Sequence, residues 1–382
     1  MAPMADAGAT SSEGFKAAYA SGSDPSSTAR ACLDALGQVP EGANLGFLYA
    51  TDPLASHAQS LVDLLRGSTG ISHWVGTTGF GVAGNGVEIY DQPAISLLVG
   101  RFPAASFQVF QPVTQDLDDF HRCCDGWLSR NPPLFGVVHG DPRNPLLPHL
   151  IDDLSNDTSA FLVGGLSASR NGIVQLADRV SEGGLSGVLF SAGLDVAAGL
   201  SQGCQPIGPS RRITAAERNI VIAIDGHPAL DVLLDDLGIE TEADLRPADA
   251  NTMVAFPVTG SDTGDYMVRN LMGIDAEQGW LAVGEIVETG QDILFCRRDQ
   301  AAARVDLKRM LEQVKRRLQA PPRAALYFSC IARGENLFGP DAAEMRLIRD
   351  EFGDLPLAGF YANGEISNNR LYGYTGVLAL FL

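Results

Sequence analysis

The chain lacks the marks by which several classes of protein are recognised. No basic cluster stands out, and 27 Lys and Arg against 46 Asp and Glu leave a formal charge of −19. That field repels phosphate backbones, so nucleic acid is not an expected partner, and it favours solubility. Cysteine is sparse, six in 382 residues. Cys123 and Cys124 are adjacent, the others are scattered and no C-x-x-C occurs, which argues against a disulfide framework. Neither H-x-H nor H-E-x-x-H is present, so no metal site is expected. Apolar runs such as Gly376 to Leu382 are one strand long, far short of the ~20 residues of a membrane span. Residues 1–12 have no basic start and no apolar segment, so residues 1–24 read as a loose tail and not as an export signal. Free thiols suit a reducing compartment, and the expected location is the cytoplasm.

What is present is repetition. Three stretches share one order: helix, apolar strand, helix, apolar strand entering a glycine-rich turn, and a further strand. The first runs through Leu45 to Ala50, His73 to Phe80 and Ile95 to Gly100. The second runs through Leu134 to His139, Phe161 to Leu166 and Ser186 to Phe190. The third opens with an amphipathic helix, in which Leu307, Met310, Leu311, Val314 and Leu318 form one stripe. It continues through Ala325 to Cys330, Leu355 to Phe360 and Thr375 to Leu382. Aligned on the strand that meets the turn, Gly76, Gly164 and Gly359 coincide, and five residues later so do Gly81, Ser169 and Gly364. Turns are expected at Asn85-Gly86, Arg170-Asn171-Gly172 and Asn368-Asn369. Uninterrupted apolar strands are buried on both faces. The expected fold is therefore mixed α/β, with repeated strand–helix–strand units in layered sheets covered by helices. Between copies two and three, Arg212 to Asp225 and Asp292 to Arg298 alternate like half-exposed antiparallel strands, with a helix at Pro228 to Leu237. Glycine and proline punctuate Leu200 to Arg211, which places a domain boundary there: residues 25–200 and 201–382.

Toward the C-terminus, Cys330-Ile-Ala-Arg-Gly334, Phe338-Gly339, Gly359-Phe-Tyr-Ala-Asn-Gly-Glu-Ile366 and Gly373-Tyr-Thr375 resemble the signature of FIST (F-box and intracellular signal transduction) C-terminal domains. Ser201-Gln-Gly-Cys-Gln-Pro-Ile-Gly208 resembles the segment that opens them. Val75-Gly-Thr-Thr-Gly79 and Gly164-Gly165-Leu-Ser167 resemble landmarks of FIST N-terminal domains. The resemblance implies a sensory protein that binds a small ligand, an amino acid or a similar polar metabolite, and signals through a separate partner such as a kinase or chemoreceptor. Some bacterial members are associated with haem, which makes a haem-based sensor the alternative. An enzyme acting on a small metabolite is a further one.

The residues weigh as follows. Gly79-Phe-Gly-Val-Ala-Gly84 satisfies G-x-G-x-x-G, but Asn85-Gly86 signals a hairpin where a dinucleotide fold needs a helix. Arg333 sits beyond a buried strand and can grip a ligand carboxylate with two parallel hydrogen bonds. Asn363 and Glu365 would meet the ligand's amine, and Tyr361 would form a wall, with Tyr372 a further aromatic. Equally, Arg333 and Glu365 can form an internal ion pair. Cys330, Gly359 and Gly364 lie at the same strand ends, and Thr77, Thr78, Ser167 and Ser169 lie at those of the other copies; all are taken as ligand-lining. Cys330 also reads as a buried small hydrophobe. His139, ending a buried strand, is the first residue to consider for haem, ahead of His73 and His227. No G-x-S-x-G elbow occurs, and no catalytic residue is named. Ligand identity and oligomeric state are not legible.

Overall fold

The computed structural model describes residues 6–170, 172–240, 251–258 and 264–382. The chain divides into two compact units, one of Met1–Ser201 with Lys308–Leu382 and one of Gln202–Leu307.

The larger unit holds the three copies. First strands are Leu45–Thr51, Pro133–Gly140 and Ala324–Cys330; second strands are His73–Gly79, Phe161–Leu166 and Leu357–Ala362. Closing strands are Ala94–Gly100, Leu185–Ser191 and Gly376–Phe381, and edge strands are Phe15–Ser21, Phe107–Val113 and Val196–Ser201. Each copy makes a sheet in the order edge, closing, first, second, followed by a two-stranded hairpin, and in the first copy Asp6–Ser12 adds one more strand outside Phe15–Ser21. The hairpins are exchanged. Gly81–Gly84 with Val87–Tyr90, from the first copy, completes the third copy's sheet. Gln175–Ala177 with Arg179–Ser181, from the second, completes the first's. Glu365–Ser367 with Arg370–Tyr372, from the third, completes the second's. The exchange closes into a ring of three.

Glycine makes this geometry possible at one repeated position. First and second strands run parallel, with Leu48 opposite Gly76, Val138 opposite Gly164 and Tyr327 opposite Gly359. A Cβ on those glycines would lie 1.8, 1.8 and 1.9 Å from the carbonyl oxygen of the facing residue. No side chain fits there, so the three aligned glycines are imposed by strand packing.

Two expectations are corrected. Residues 6–21 are not a tail: Asp6–Ser12 and Phe15–Ser21 form a hairpin, and its second strand pairs with Ala94–Gly100 along its whole length. Phe15, Ala17, Ala18 and Ala20 are buried. Apart from Phe15 these are alanines, which give a weak hydrophobic signal although the strand is paired on both sides. Residues 201–382 are not one compact domain either. The chain leaves the larger unit after Ser201 and returns at Lys308, so the third copy's edge strand is separated from the rest of that copy by an inserted unit.

The inserted unit is antiparallel, in the order Gln205–Pro206, Asp292–Arg297, Arg211–Glu217, Ile220–Ile224, Trp280–Val283, Tyr266–Asp275, Thr252–Pro257. Thr252–Pro257 pairs again with Asp292–Arg297, which closes the sheet on itself. Ile213, Ile224, Val254, Leu281 and Phe295 fill the interior with Leu230 and Leu233 of the helix Ala229–Leu237. Closure leaves the strands one buried face, the source of their alternation.

The turns at Asn85-Gly86 and Asn368-Asn369 are two-residue hairpin connections, and Gly86 and Asn368 have φ of +73° and +57°. Asn171 of the third expected turn lies outside the described residues. The G-x-G-x-x-G stretch enters the hairpin Gly81–Gly84 with Val87–Tyr90, so no helix N-terminus awaits a pyrophosphate there. Among the described residues, no helix is long and apolar enough to cross a membrane.

Candidate functional site

The glycine-rich turns of the three copies meet. Thr77 Oγ1 and Ser167 Oγ lie 2.6 Å apart, and Ala168 N donates to Thr78 O at 2.9 Å. Leu166 N donates to Gly364 O at 2.8 Å, Asn363 N to Leu166 O at 3.3 Å, and Phe80 N to Tyr361 O at 3.1 Å. First copy touches second, second touches third, third touches first. Thr77 and Thr78 are thereby tied to the Ser167 turn, and Leu166 in turn ties that turn to Asn363 and Gly364. Ser169 turns elsewhere, its hydroxyl donating to Asp52. The cleft beside Thr77 and Thr78, walled by Leu54, Leu61, Val62, Leu176 and Val180, holds about 20 Å³. That volume admits a water, not a metabolite. Two larger grooves lie elsewhere on this unit, about 540 Å³ beside His73, Phe107 and Trp127, and about 490 Å³ beside Val196, Val314 and Arg317.

Each sheet of the ring has an inner face toward the shared core and an outer face toward its own helices, and the copies differ in how these faces are furnished. On the inner face, register sets Gln175, Thr77, Tyr49 and Ser96 in one row. The second row is Glu365, Gly165, His139 and Ser186; the third is Val82, Phe360, Phe328 and Val377. Two rows are polar and one is apolar. His139 is thus the counterpart of Tyr49 and Phe328, and the three rings gather with centroids 5.6, 5.9 and 6.2 Å apart. Both nitrogens of His139 lack hydrogen-bond partners, and burial drives its pKa down to about 3.

That packing answers the haem expectation. Tyr49, Phe328 and Phe360 hold the His139 ring within 6.2 Å on three sides, and the side chain has no exposure. A planar macrocycle would have to displace the core rings to reach it, so the residues around His139 do not fit haem. The correction has a simple cause: a histidine at the end of an apolar strand looks like a ligand in sequence, and here it fills an aromatic position of the core.

The outer faces show the reverse. At the strand ends the first copy presents Leu48, Ala50 and Thr78, the second Val138, Gly140 and Leu166, and the third Tyr327, Ser329 and Tyr361. Only the third builds an ionic cluster on these positions. Arg333 and Glu344 are both fully buried and paired, with Arg333 Nη2 2.7 Å and Nε 2.8 Å from Glu344 Oε1. Glu344 also accepts from Tyr327 Oη at 2.6 Å, Ser329 Oγ at 3.1 Å and Gly334 N at 2.9 Å. Arg333 further donates to Ser201 Oγ at 3.0 Å and Tyr374 O at 3.4 Å, and lies over Phe338 at 5.0 Å. Toward solvent stand the half-buried Glu88 and Tyr90, Tyr90 Oη donating to Glu88 at 2.9 Å with its ring 4.7 Å from that of Tyr361. Burial, reinforced by Glu344, lifts the Glu88 pKa to about 7.

The expected pairing of Arg333 with Glu365 is corrected to Glu344. Glu365 lies on the inner face, where Oε2 accepts from Thr375 N at 3.1 Å and Oγ1 at 2.8 Å; Oε1 has no partner. Burial raises its pKa to about 8, and it raises that of the neighbouring Cys330 thiol to about 12. Asn363 is exposed at the turn, Tyr372 is buried, and Gly359 serves strand packing. Arg333 and Tyr361 are on the same outer face; Asn363 is at the turn, and Glu365 lies in the second copy's sheet without bonding Arg333, although Arg333 and Glu344 both act on its charge.

Sequence reasoning missed Glu344, Glu88, Tyr90, Tyr327 and Ser329. A signal existed for two elements. Glu344 shares the buried stripe of its helix with Ile348, four residues on, and Tyr327 and Ser329 alternate within an otherwise apolar strand.

Three hairpin-exchanging α/β copies closed into a ring, with a closed antiparallel unit inserted in the third, make up the fold, and the third copy places a buried Arg333–Glu344 pair against the outer face of its strand ends. The FIST N domain matches residues 44–227 and the FIST C domain residues 229–368, and the chain belongs to the FIST family. That family is associated with sensory signal transduction. Among its relatives, an uncharacterized Mycobacterium tuberculosis protein is 31% identical over 353 residues, covering 86% of this chain and 89% of that one. An uncharacterized Mycobacterium bovis protein is 30% identical over 318 residues, covering 77% and 79%.

Proposed function

We propose that the protein is a cytoplasmic sensor that binds a small carboxylate-bearing metabolite, an amino acid or similar, at the third copy's strand ends and signals through a separate partner such as a kinase or chemoreceptor. The observation that carries this is the fully buried guanidinium of Arg333, held at strand ends where the first two copies present Leu48, Ala50 and Thr78, and Val138, Gly140 and Leu166. Burying a charge is costly unless it is paired and hydrogen-bonded, so structure alone gives little reason to prefer it to leucine. A guanidinium fork is suited to a carboxylate. Tyr361 and Tyr90 pack against each other on the solvent side of the pair, and the half-buried Glu88 beside them would face an amine. Sensing then means that the ligand favours one arrangement in proportion to its differential affinity.

Thermal-shift screening of amino acids and organic acids tests the reading. A ligand at about a hundred times its Kd adds ~2.7 kcal/mol, which is several degrees for a unit of this size. Arg333→Lys keeps the charge but loses the fork, and is expected to weaken the shift at least tenfold in ligand concentration. A screen without any hit, or a hit indifferent to Arg333→Lys, sinks the proposal.

A further inference from the structure

We propose that Glu344 occupies, as an internal plug, the place of the ligand's carboxylate; the inference rests on the functional reading above and narrows it to exchange of one carboxylate for another. The donors make the case. Tyr327 Oη, Ser329 Oγ, Arg333 Nε and Nη2 and Gly334 N all converge on the Glu344 carboxylate at 2.6–3.1 Å. Two carboxylate oxygens offer about four lone-pair sites, so the cradle saturates its guest. A fork, a backbone N–H and two hydroxyls are the complement of a carboxylate and of little else, because a neutral or cationic guest would leave Arg333 uncompensated in a buried place. Swapping one carboxylate for another keeps that charge balance intact.

The plug is mounted on a piece of chain that can let go. Glu344 lies in the first turn of the helix Ala343–Phe352, and the two residues before that helix, Asp341 and Ala342, have φ of +62° and +51°. Neither is glycine, and the left-handed region is unfavourable for a residue with a Cβ, for Ala342 more than for Asp341. Release of the helix start would relax them. Above the cradle, Met345 N donates to Glu88 Oε1 at 3.3 Å, a long bond from a half-buried carboxylate. Breaking it would part the helix start from the hairpin Gly81–Gly84 with Val87–Tyr90 on the solvent side.

An ion pair just beyond the second copy's first strand is built differently. There Asp141 accepts from Arg143 and from Gly183 N, and Arg143, 55% exposed, shares its guanidinium with Glu182. Its carboxylate stands on the strand end itself, and its arginine only two residues on. In the third copy the carboxylate comes instead from a helix eleven residues beyond the arginine, so the two parts of the pair move on separate elements.

The experiment titrates the full chain with sodium acetate, sodium propionate and L-alanine against sodium chloride at matched ionic strength, read by thermal shift. Glu344→Ala empties the cradle. We expect acetate and propionate to raise its Tm saturably by several degrees, at concentrations at least tenfold below any effect on the unsubstituted chain. Acetate acting no better than chloride on Glu344→Ala overturns the plug. Should that variant fail to fold, Glu344→Gln retains the volume and removes the charge; carboxylate affinity at least tenfold above that of the unsubstituted chain is expected, and unchanged or weaker affinity overturns it. A metabolite that stabilises the unsubstituted chain while both variants ignore acetate would leave the sensor reading standing and remove the plug alone. Rescue by acetate with no metabolite hit would keep the cradle and remove the sensor.

Discussion

The third copy and its two companions share a backbone plan and invert its chemistry. In the first and second copies the outer strand-end positions are Leu48, Ala50 and Thr78, and Val138, Gly140 and Leu166; in the third they are Tyr327, Ser329 and Tyr361, with Arg333 and Glu344 behind them. On the inner face Phe328, Phe360, Val82 and Val377 of the third sheet are apolar where the other rows hold Tyr49, Gln175 and Thr77, or His139 and Glu365. The plan is enforced by features all copies have: parallel strands, aligned glycines and exchanged hairpins. What varies is which face of the same strand carries polarity. Fold and site are thus separable layers of one sequence, and the comparison can be attacked at each layer.

The largest effect is expected where the copies are alike. Gly76→Ala, Gly164→Ala and Gly359→Ala each drive a methyl to within 1.9 Å of a carbonyl oxygen on the neighbouring strand. Relief requires the strands to part, and each substitution is expected to cost upward of about 3 kcal/mol. Gly67→Ala, in the helix Ala58–Thr69 with open space around the new methyl, is the control and is expected to stabilise by up to about 1 kcal/mol. Urea midpoints measure all four. If one of the three strand glycines tolerates alanine as Gly67 does, the repeat is not a shared constraint.

An effect of similar size, confined to one copy, is expected where the copies differ. Arg333→Met leaves Glu344 buried with its charge uncompensated, at a cost of roughly 3–5 kcal/mol. Arg143→Met removes a half-exposed guanidinium from Asp141, which keeps the backbone N–H groups of Arg143 and Gly183. That loss is expected to stay near 1 kcal/mol or less. Equal costs would mean that the two strand ends are electrostatically equivalent, and the contrast would fall.

Sequence carried the repeated layer well and the exchanged layer not at all. Apolar runs and glycine spacing sufficed for the three strand–helix–strand units, because burial on both faces and close strand approach are local demands on residue type. The Asn-Gly and Asn-Asn turns were legible for the same reason. Which sheet edge receives a hairpin is a non-local matter with no residue signature, so nothing in Gly81 to Tyr90 announces the third copy's sheet. The alignment of Ser169 with Gly81 and Gly364 also misleads. The row partners lie 82 − 76 = 6 residues after the glycine in the first copy and 365 − 359 = 6 in the third, but 175 − 164 = 11 in the second. At the site, Arg333 and Tyr361 were legible as strand-end groups. Glu344 was not, because its helix meets the strand end only in the folded chain, and Glu365 misled by standing close in sequence on the opposite face.

The smallest effect distinguishes the inner rows and carries a pH signature. His139→Phe writes the third copy's Phe328 into the second copy's row. His139 makes no side-chain hydrogen bond, so the exchange strands no partner, and near pH 7.5 it is expected to be neutral or to stabilise by up to about 1 kcal/mol. Below pH 6.5 the two proteins should diverge. The unfolded chain takes up a proton on His139 near 6.5, whereas burial holds the folded pKa at about 3. The unsubstituted protein therefore loses stability from this group as pH falls through that window, and the phenylalanine variant does not. Each pH unit widens the gap by about 1.4 kcal/mol, or about 2 kcal/mol at pH 5. Glu365 in the same row works in the opposite sense: with a folded pKa of about 8, its contribution is lost as pH rises from about 4.5 to about 8. Because both proteins keep Glu365, the difference between their stability curves isolates the histidine. A gap that stays flat from pH 7.5 to pH 5 would mean that His139 has a proton-accepting partner or contact with water, and the inner row of the second copy would then be an open polar site and not a variant of the third copy's apolar one.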